Sequence, residues 1–322
     1  MLIILSADGL DDVTIHGAPV DGPCLVATDD TKGWYSHPDL KVSAVARGMG
    51  DGDFDVEDAG VLYGPRTVTI GVAAVAESRD GALALTRSVG ALAHRNVRIR
   101  VIDGGDDDSD VAVIGSHVMT VDGETLSVDG RVEDAHDRAD ENDTWSVGYL
   151  RATWDKVDEA GSMVVGSITV VCPDPRRLST RVRTGRMLGG AASTMGLVFD
   201  AKGTLSWPVS FGGSGVVQSL CVVKNSGTST AWPTIAIGGS SPNGWAVTDV
   251  ATGEAVSSRQ DPVWNPIVLD CMRGTARQGG VDVTRRLDSR RFPSVGPGGT
   301  LQLALEADAG CTCEVTCYDT YI

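Results

Sequence analysis

The sequence predicts a mainly β protein built from sandwiches or partly open barrels, with a single packed helix in its N-terminal half. Three observations predict it. The 322 residues include 40 glycines but only 5% aromatics, and aliphatic and small residues supply most of the 42% hydrophobic content, a mixture that suits short strands joined by tight turns. Apolar and polar residues alternate with period two in many short runs, as in "TVTIGV" and "VRIRVI", the pattern of half-buried strands. Clusters of Gly, Pro, Asn and Asp separate these runs at the spacing of a sandwich or barrel.

The first clear turn is Gly64-Pro65 in "VLYGPRTVTI". Arg66 stands at its mouth, where it either pairs with acidic groups of its own or a neighbouring subunit or is an ordinary exposed arginine. Val68, Ile70 and Val72 then anchor one face of a strand. From Ser78 to His94, Leu85, Val89 and Leu92 recur at helical spacing behind a cap at Ser78 or Asp80, so one amphipathic helix packs on the first sheet. Val97, Ile99 and Val101 open the next strand, with Arg98 and Arg100 on its other face. Further strands are expected at 111–121, 125–129, 163–171, 218–224, 234–237, 266–270, 281–284, 300–306 and 312–318.

This length allows two domains, each with its own core. Residues 1–180 form the first, with the helix. Residues 181–206, rich in basic residues, Gly-Gly and small polar residues, form a linker. Residues 207–322 show no helical pattern and form an all-β sandwich.

The formal charge is −16, with 43 acidic against 27 basic residues, so the summed field repels phosphate backbones and anionic lipid heads. Non-specific nucleic-acid binding is disfavoured. No apolar run reaches the roughly 18 residues of a membrane span, and "MLIILSADG" lacks the basic flank and cleavage site of a signal peptide. A soluble protein made in a cytosol is expected. The seven cysteines (24, 172, 221, 271, 311, 313, 317) are odd in number and scattered, so reduced thiols are expected rather than a disulfide framework.

The candidate chemical motifs fail on spacing or context. Asp106, Asp108 and Asp110 alternate as in a calcium loop, but Val111 and His117 stand where an EF-hand needs Gly and Glu. The two acidic stretches, 103–110 and 133–143, read as solvated loops. "CTCEVTC" suggests zinc, yet on a strand Cys313 and Cys317 are separated by roughly 13 Å, too far for one tetrahedral ion. Cys311, Cys313, Val315 and Cys317 then share one face as a core-facing stripe. His16, His37, His94, His117 and His136 are dispersed. Gly213-Ser214-Gly215 runs into a strand, whereas a nucleophile elbow leads into a helix. Trp207, Trp232, Trp245 and Trp264 offer possible sugar-stacking faces, although packing is the commoner fate of tryptophan. No catalytic, cofactor-binding or metal-ligating residue is assigned, and no cofactor is expected.

The order of several segments, rather than composition, resembles a family. "KVSAVARGMGDGDF", "GVLYGPRTVTI", the helix and "ITVVCPDPRRLST" are followed by "VVKNSGTSTAWPTIAIGG", "AVTDVATGEAV" and "IVLDCMRGTARQGGVDVTRRLDSRRFPSVGPGGTLQLAL". This order resembles the distal tail (minor tail) proteins of long-tailed, non-contractile bacteriophages, over about residues 40 to 322 and most clearly over 217–306. In these segments Asn225-Ser226-Gly227 supplies a turn, Pro233 starts a strand, Thr252-Gly253 closes a hairpin, and Gly298-Gly299 bends the chain into a ladder with Leu301, Leu303 and Leu305 inward.

The resemblance implies an N-terminal β-sandwich or split-barrel-like domain with one packed α-helix, which forms a ring, and a C-terminal galectin-like β-sandwich outside it. It implies a virion protein, assembled in the host cytoplasm, whose ring, expected to be hexameric, joins the tail tube to the tip or baseplate. The implied partners are other copies of the chain, the tail tube and tape-measure proteins and the downstream hub, with no enzymatic activity. Two other readings stay open: a carbohydrate-binding module at the host surface, from the four C-terminal tryptophans, and a β-sandwich hydrolase, which would need a convergent carboxylate pair.

Overall fold

The structure, a computed structural model, describes residues 1–28, 31–41, 46–49, 51, 62–103, 142–157, 162–190, 220–262 and 265–322. The strands expected at 111–121 and 125–129, residues 104–110 and 133–141 of the acidic stretches, the Asp106 to His117 loop, His136, Gly213 to Gly215, Trp207 and Trp264 lie outside these residues, as does 191–206 of the expected linker. The described chain is mainly β with one α-helix, and divides into two units, Met1–Thr180 with Tyr321–Ile322, and Arg181–Thr320.

The first unit contains β1 (Leu2–Ser6), β2 (Val13–His16), β3 (Cys24–Ala27), the short pair β4 (Leu40–Lys41) and β5 (Leu62–Tyr63), and β6 (Arg66–Val75). Helix α1 (Arg79–Leu92) follows, then β7 (Asn96–Ile102), β8 (Asp143–Val157), β9 (Met163–Cys172) and the start of β10 (Arg177–Leu188). Seven of these strands close a barrel-like sheet in the order β8-β7-β1-β2-β3-β6-β9, with β9 pairing back onto β8. Every pairing is antiparallel except β2 with β3. Closure satisfies the backbone groups that an open edge would expose.

Alternation decides the inward faces: Ile3 and Leu5, Val68, Ile70 and Val72, Val97, Ile99 and Val101, and Ile168 and Val170 are all buried in one core. The helix behaves as its spacing predicts. Ser78 caps it, its hydroxyl accepting the Gly81 N–H at 3.2 Å, and Ala82, Val89 and Leu92 join the barrel core while Leu85 is partly buried.

Strand β8 escaped the pattern because its first half is inverted. Thr144 and Ser146 point inward and are buried, whereas Val147 and Tyr149 are exposed. Gly148 is required on that face, since a Cβ there would overlap the Val171 carbonyl. Only from Leu150 onward does the buried face become apolar.

The second unit packs two sheets around a separate core. One has the order β17 (Val281–Asp282), β16 (Thr275–Gln278), β15 (Ile267–Asp270), β12 (Thr234–Gly239), β20 (Cys311–Tyr321) and β10, antiparallel from β17 to β20. The other runs β11 (Leu220–Lys224), β19 (Thr300–Ala307), β13 (Trp245–Asp249), β14 (Ala255–Ser258), β18 (Ser289–Arg290), antiparallel throughout. Residues 181–188, expected as linker, are strand: Met187 enters the core and β10 is a sheet neighbour of β20. Its arginines conceal the strand, because only one of its two faces is needed for packing. Pro233 precedes β12, Gly253 closes the β13–β14 hairpin at φ +72°, and Leu301, Leu303 and Leu305 point inward, as the sequence predicts.

Candidate functional site

Arg66 does not stand at an exposed mouth. It is 1% exposed, and its partners are carbonyls rather than carboxylates. Nε donates to Pro175 O at 2.8 Å, and Nη1 lies 2.7 Å from Gly33 O and 2.8 Å from both Trp34 O and Ser36 O. The 31–36 turn is folded tightly onto β6: Lys32 exchanges backbone hydrogen bonds with Thr69 at 2.7 and 2.9 Å. Gly33, at φ +88°, lies where a Cβ would overlap the Thr67 carbonyl. An arginine entering β6 can therefore reach the inside of that turn and gather its carbonyls, which a shorter side chain cannot. Burial, assisted by the nearby positive Arg177, pulls its pKa down to about 10, which leaves it charged at neutral pH. Arg66 is a stitch inside the first unit, neither exposed nor, among the described residues, paired with a carboxylate, so both alternatives read from the sequence are corrected.

The cysteine stripe is core. Cys311, Cys313 and Cys317 are buried with Val315 between them, and all seven cysteines are free and buried. Desolvation raises the thiols of Cys172, Cys221, Cys271, Cys311, Cys313 and Cys317, with Cys221 and Cys317 pushed up to about 11 and Cys271 to about 12. A thiol so shifted is neutral at physiological pH and is a poor nucleophile or metal ligand. Among the described residues no group of three or more His, Cys, Asp or Glu side chains is placed to hold a metal ion.

The described histidines do not assemble a catalytic set. His37 stacks on Tyr63 with ring centroids 6.3 Å apart, His16 ends β2, and His94 follows α1. Trp245 lies in the core and Trp232 is 36% exposed, so the two described tryptophans of the second unit do not form a paired stacking platform. A groove in that unit is lined by Asn243, Ser257, Arg259, Asp288, Glu306 and Asp308. Its Asp308 carboxyl is held below the usual range by hydrogen bonds from the Asn243 side chain at 2.9 Å and backbone N–H at 2.8 Å. That carboxylate clamps a turn.

Asn225 and Asp319 form a polar node that motif reading missed. Both are fully buried. The Asn225 amide nitrogen donates to Ser229 O (2.8 Å), Gly296 O (3.1 Å) and Val295 O (3.3 Å), and its oxygen accepts from Gly227 N–H (3.0 Å) and Thr320 N–H (3.2 Å). Asp319 accepts from Ser226 N–H at 2.7 Å and from Arg183 Nη2 at 2.8 Å. A Cβ on Gly227 would overlap the Thr320 backbone, so "NSG" is a turn bolted to β20 and not merely a reversal. Asn225→Ala should lower the stability of the second unit by about 3 kcal/mol, because several buried backbone groups lose their partner. Urea unfolding of the full chain followed by circular dichroism checks it; a loss under roughly 0.5 kcal/mol, the level of an ordinary surface substitution, would show that the node is dispensable.

Taken together, the buried polar groups with the most partners hold turns and strand ends, and none converges on an open cleft. No family model matches the chain, and no curated protein matches it. The fold is similar to the crystal structure of the SPP1 Dit (gp 19.1) protein, described as a paradigm of the hub adsorption apparatus in phages that infect Gram-positive bacteria. The similarity covers 99% of each chain, at a TM-score of 0.54 and 13% sequence identity, and what it shows is a shared fold along the whole length.

Proposed function

We propose that this protein is a structural component of a bacteriophage tail tip, a distal tail protein whose copies form a ring, hexameric by the resemblance of its segments, between tail tube and tip. The observation that carries this reading is the end-to-end similarity of fold to a phage hub protein, covering both units rather than one common module. The segment order described above points the same way from independent evidence. On this reading the first unit is the ring-forming, split-barrel-like part, and the second is a galectin-like sandwich. Partners are further copies of the chain, the tube and tape-measure proteins and the downstream hub, and the protein resides in the virion.

The role is non-catalytic on this reading: the shifted acids and thiols described above are engaged in turns and cores, where they serve folding. The acidic net charge suits a passage for DNA, since it repels phosphate and lets the strand slide. Light scattering and negative-stain images of the purified chain, alone and mixed with the tube protein, are expected to show closed six-membered rings. Monomers under both conditions, or hydrolysis of peptidoglycan by the pure protein, would overturn the proposal.

A further inference from the structure

The charge of this chain is distributed against its mean. Although the net charge is −16, residues 270–291 hold six arginines and no lysine against three aspartates. The topology gathers four of these arginines where the edges of the two sheets of the second unit are linked by the chain. Arg277 lies on β16 opposite Asp282 of edge strand β17. Arg285 and Arg286 end the 3-10 turn Thr284–Arg286 that follows, and Arg290 lies on β18, the edge of the other sheet. Arg290 Nη2 donates to the Arg285 carbonyl at 3.0 Å, which ties the two together.

All four are exposed. Their neighbours Arg273 and Arg291 face Asp270 at 3.5 Å and Glu254 at 3.9 Å, but Arg277, Arg285, Arg286 and Arg290 have no carboxylate in ion-pair contact among the described residues. Asp282 feels Arg277 and Arg285 through space without closing an ion pair with either, so their planar guanidinium forks stay suited to a carboxylate-bearing surface.

The opposite sign is concentrated at the other end of the chain. Residues 1–31 contain six aspartates and no lysine or arginine. Asp8, Asp11 and Asp12 fall in the β1–β2 turn, which is closed by the Leu10 N–H on the Ala7 carbonyl at 3.2 Å with Gly9 at φ +76°. All three are exposed, and none is in an ion pair among the described residues.

We propose that the arginine patch of one copy docks on the β1–β2 aspartate turn of a second copy, in a head-to-tail contact. A patch and a different, complementary patch on the same chain make a heterologous interface, which repeats from copy to copy and closes into a ring when the rotation allows. The inference therefore rests on the ring-forming reading and adds to the first unit's ring a contact from the second unit of one copy to the first unit of the next. A second copy fits better than a phosphate polymer, because the acidic field of the rest of the chain repels polyanions, while the segment that holds the aspartate turn, residues 1–31, has no lysine or arginine. Such a contact supplies register and salt-sensitive association more than raw affinity.

The test uses two full-length variants, Arg277→Glu/Arg285→Glu/Arg290→Glu and Asp8→Arg/Asp11→Arg/Asp12→Arg, compared with the unaltered chain by sedimentation velocity at low and high salt. Circular dichroism and melting temperature should match the unaltered chain, because every altered side chain is exposed. Each variant alone is expected to self-associate on the order of tenfold to a hundredfold more weakly. Mixing the two variants should restore assembly, because each reversed patch then meets an oppositely reversed partner. Assembly that resists both reversals overturns this contact and leaves the ring reading standing. So does a patch reversal that weakens assembly when the turn reversal does not, or a mixture that fails to recover. An unaltered chain that stays monomeric at every concentration, alone and mixed with the tube protein, overturns both.

Discussion

Replacing Arg66 with methionine is expected to destabilise the first unit by about 3 kcal/mol, since a buried acceptor left unpaired costs ~1–3 kcal/mol and only the Trp34 carbonyl contact is fully buried, the other three being reachable by water. Four carbonyls are involved, at Gly33, Trp34, Ser36 and Pro175, and methionine retains the buried stem while removing all the donors. Arg66→Lys is expected to recover less than half, because one ammonium cannot present the Nε and Nη1 directions at once. The measurement is the urea midpoint of the full chain, with ring assembly scored on the same samples. If assembly fails only in proportion to lost stability, the carbonyl stitch is the whole role of Arg66. An unchanged midpoint would show that the 31–36 turn holds without it.

Alkaline pH is expected to dismantle the second unit at pH values where proteins with exposed thiols persist. Cys221, Cys271, Cys313 and Cys317 share one core, and burial raises the pKa of each above the ordinary 9.0. An acid whose folded pKa exceeds its unfolded value keeps its proton longer in the folded chain. Its contribution is complete below pH 9.0 and is lost as pH climbs toward about 11 for Cys221 and Cys317 and about 12 for Cys271. Across that window each thiol removes ~1.4 kcal/mol per pH unit, and four together roughly 5 kcal/mol per pH unit. Urea midpoints should hold level up to about pH 9 and fall from there to about pH 11, and Cys271→Ala should make that fall shallower by about one thiol's share. A stability curve that stays level through this range would mean that the thiols ionise without unfolding the core.

Both expectations concern groups that motif reading weighed as functional and that the structure assigns to packing. The cysteine stripe could be judged from sequence, because a period-two pattern on a strand already separates Cys313 from Cys317 and turns both to one face. Arg66 could not. Its environment is made by residues 33–36 and 175, distant along the chain, and no local pattern announces that a turn will fold over the start of β6. Asn225 and Asp319 were hidden for the same reason: Asn225 reads locally as a turn residue, and Asp319 reads as the polar phase of a strand. Only pairing of the 225–229 turn with the end of β20 buries them both.

The sequence by itself determined the class of fold, the start and buried face of α1 to within the choice of Ser78 or Asp80 as its cap, the inward leucines of β19 and the core role of the C-terminal cysteines. These follow from periodicity and capping, which act over a few residues and need no distant partner. Only the tertiary structure decided that β8 belongs to the barrel despite its inverted first half, that β10 is a strand where a linker was expected, and that Arg66 is buried. In each case a long-range partner outweighs local preference: Val171 crowds Gly148, β20 is the neighbour of the arginine-rich β10, and four carbonyls from two distant segments surround one guanidinium. Such partners are set by strand order and register, which alternation alone leaves open.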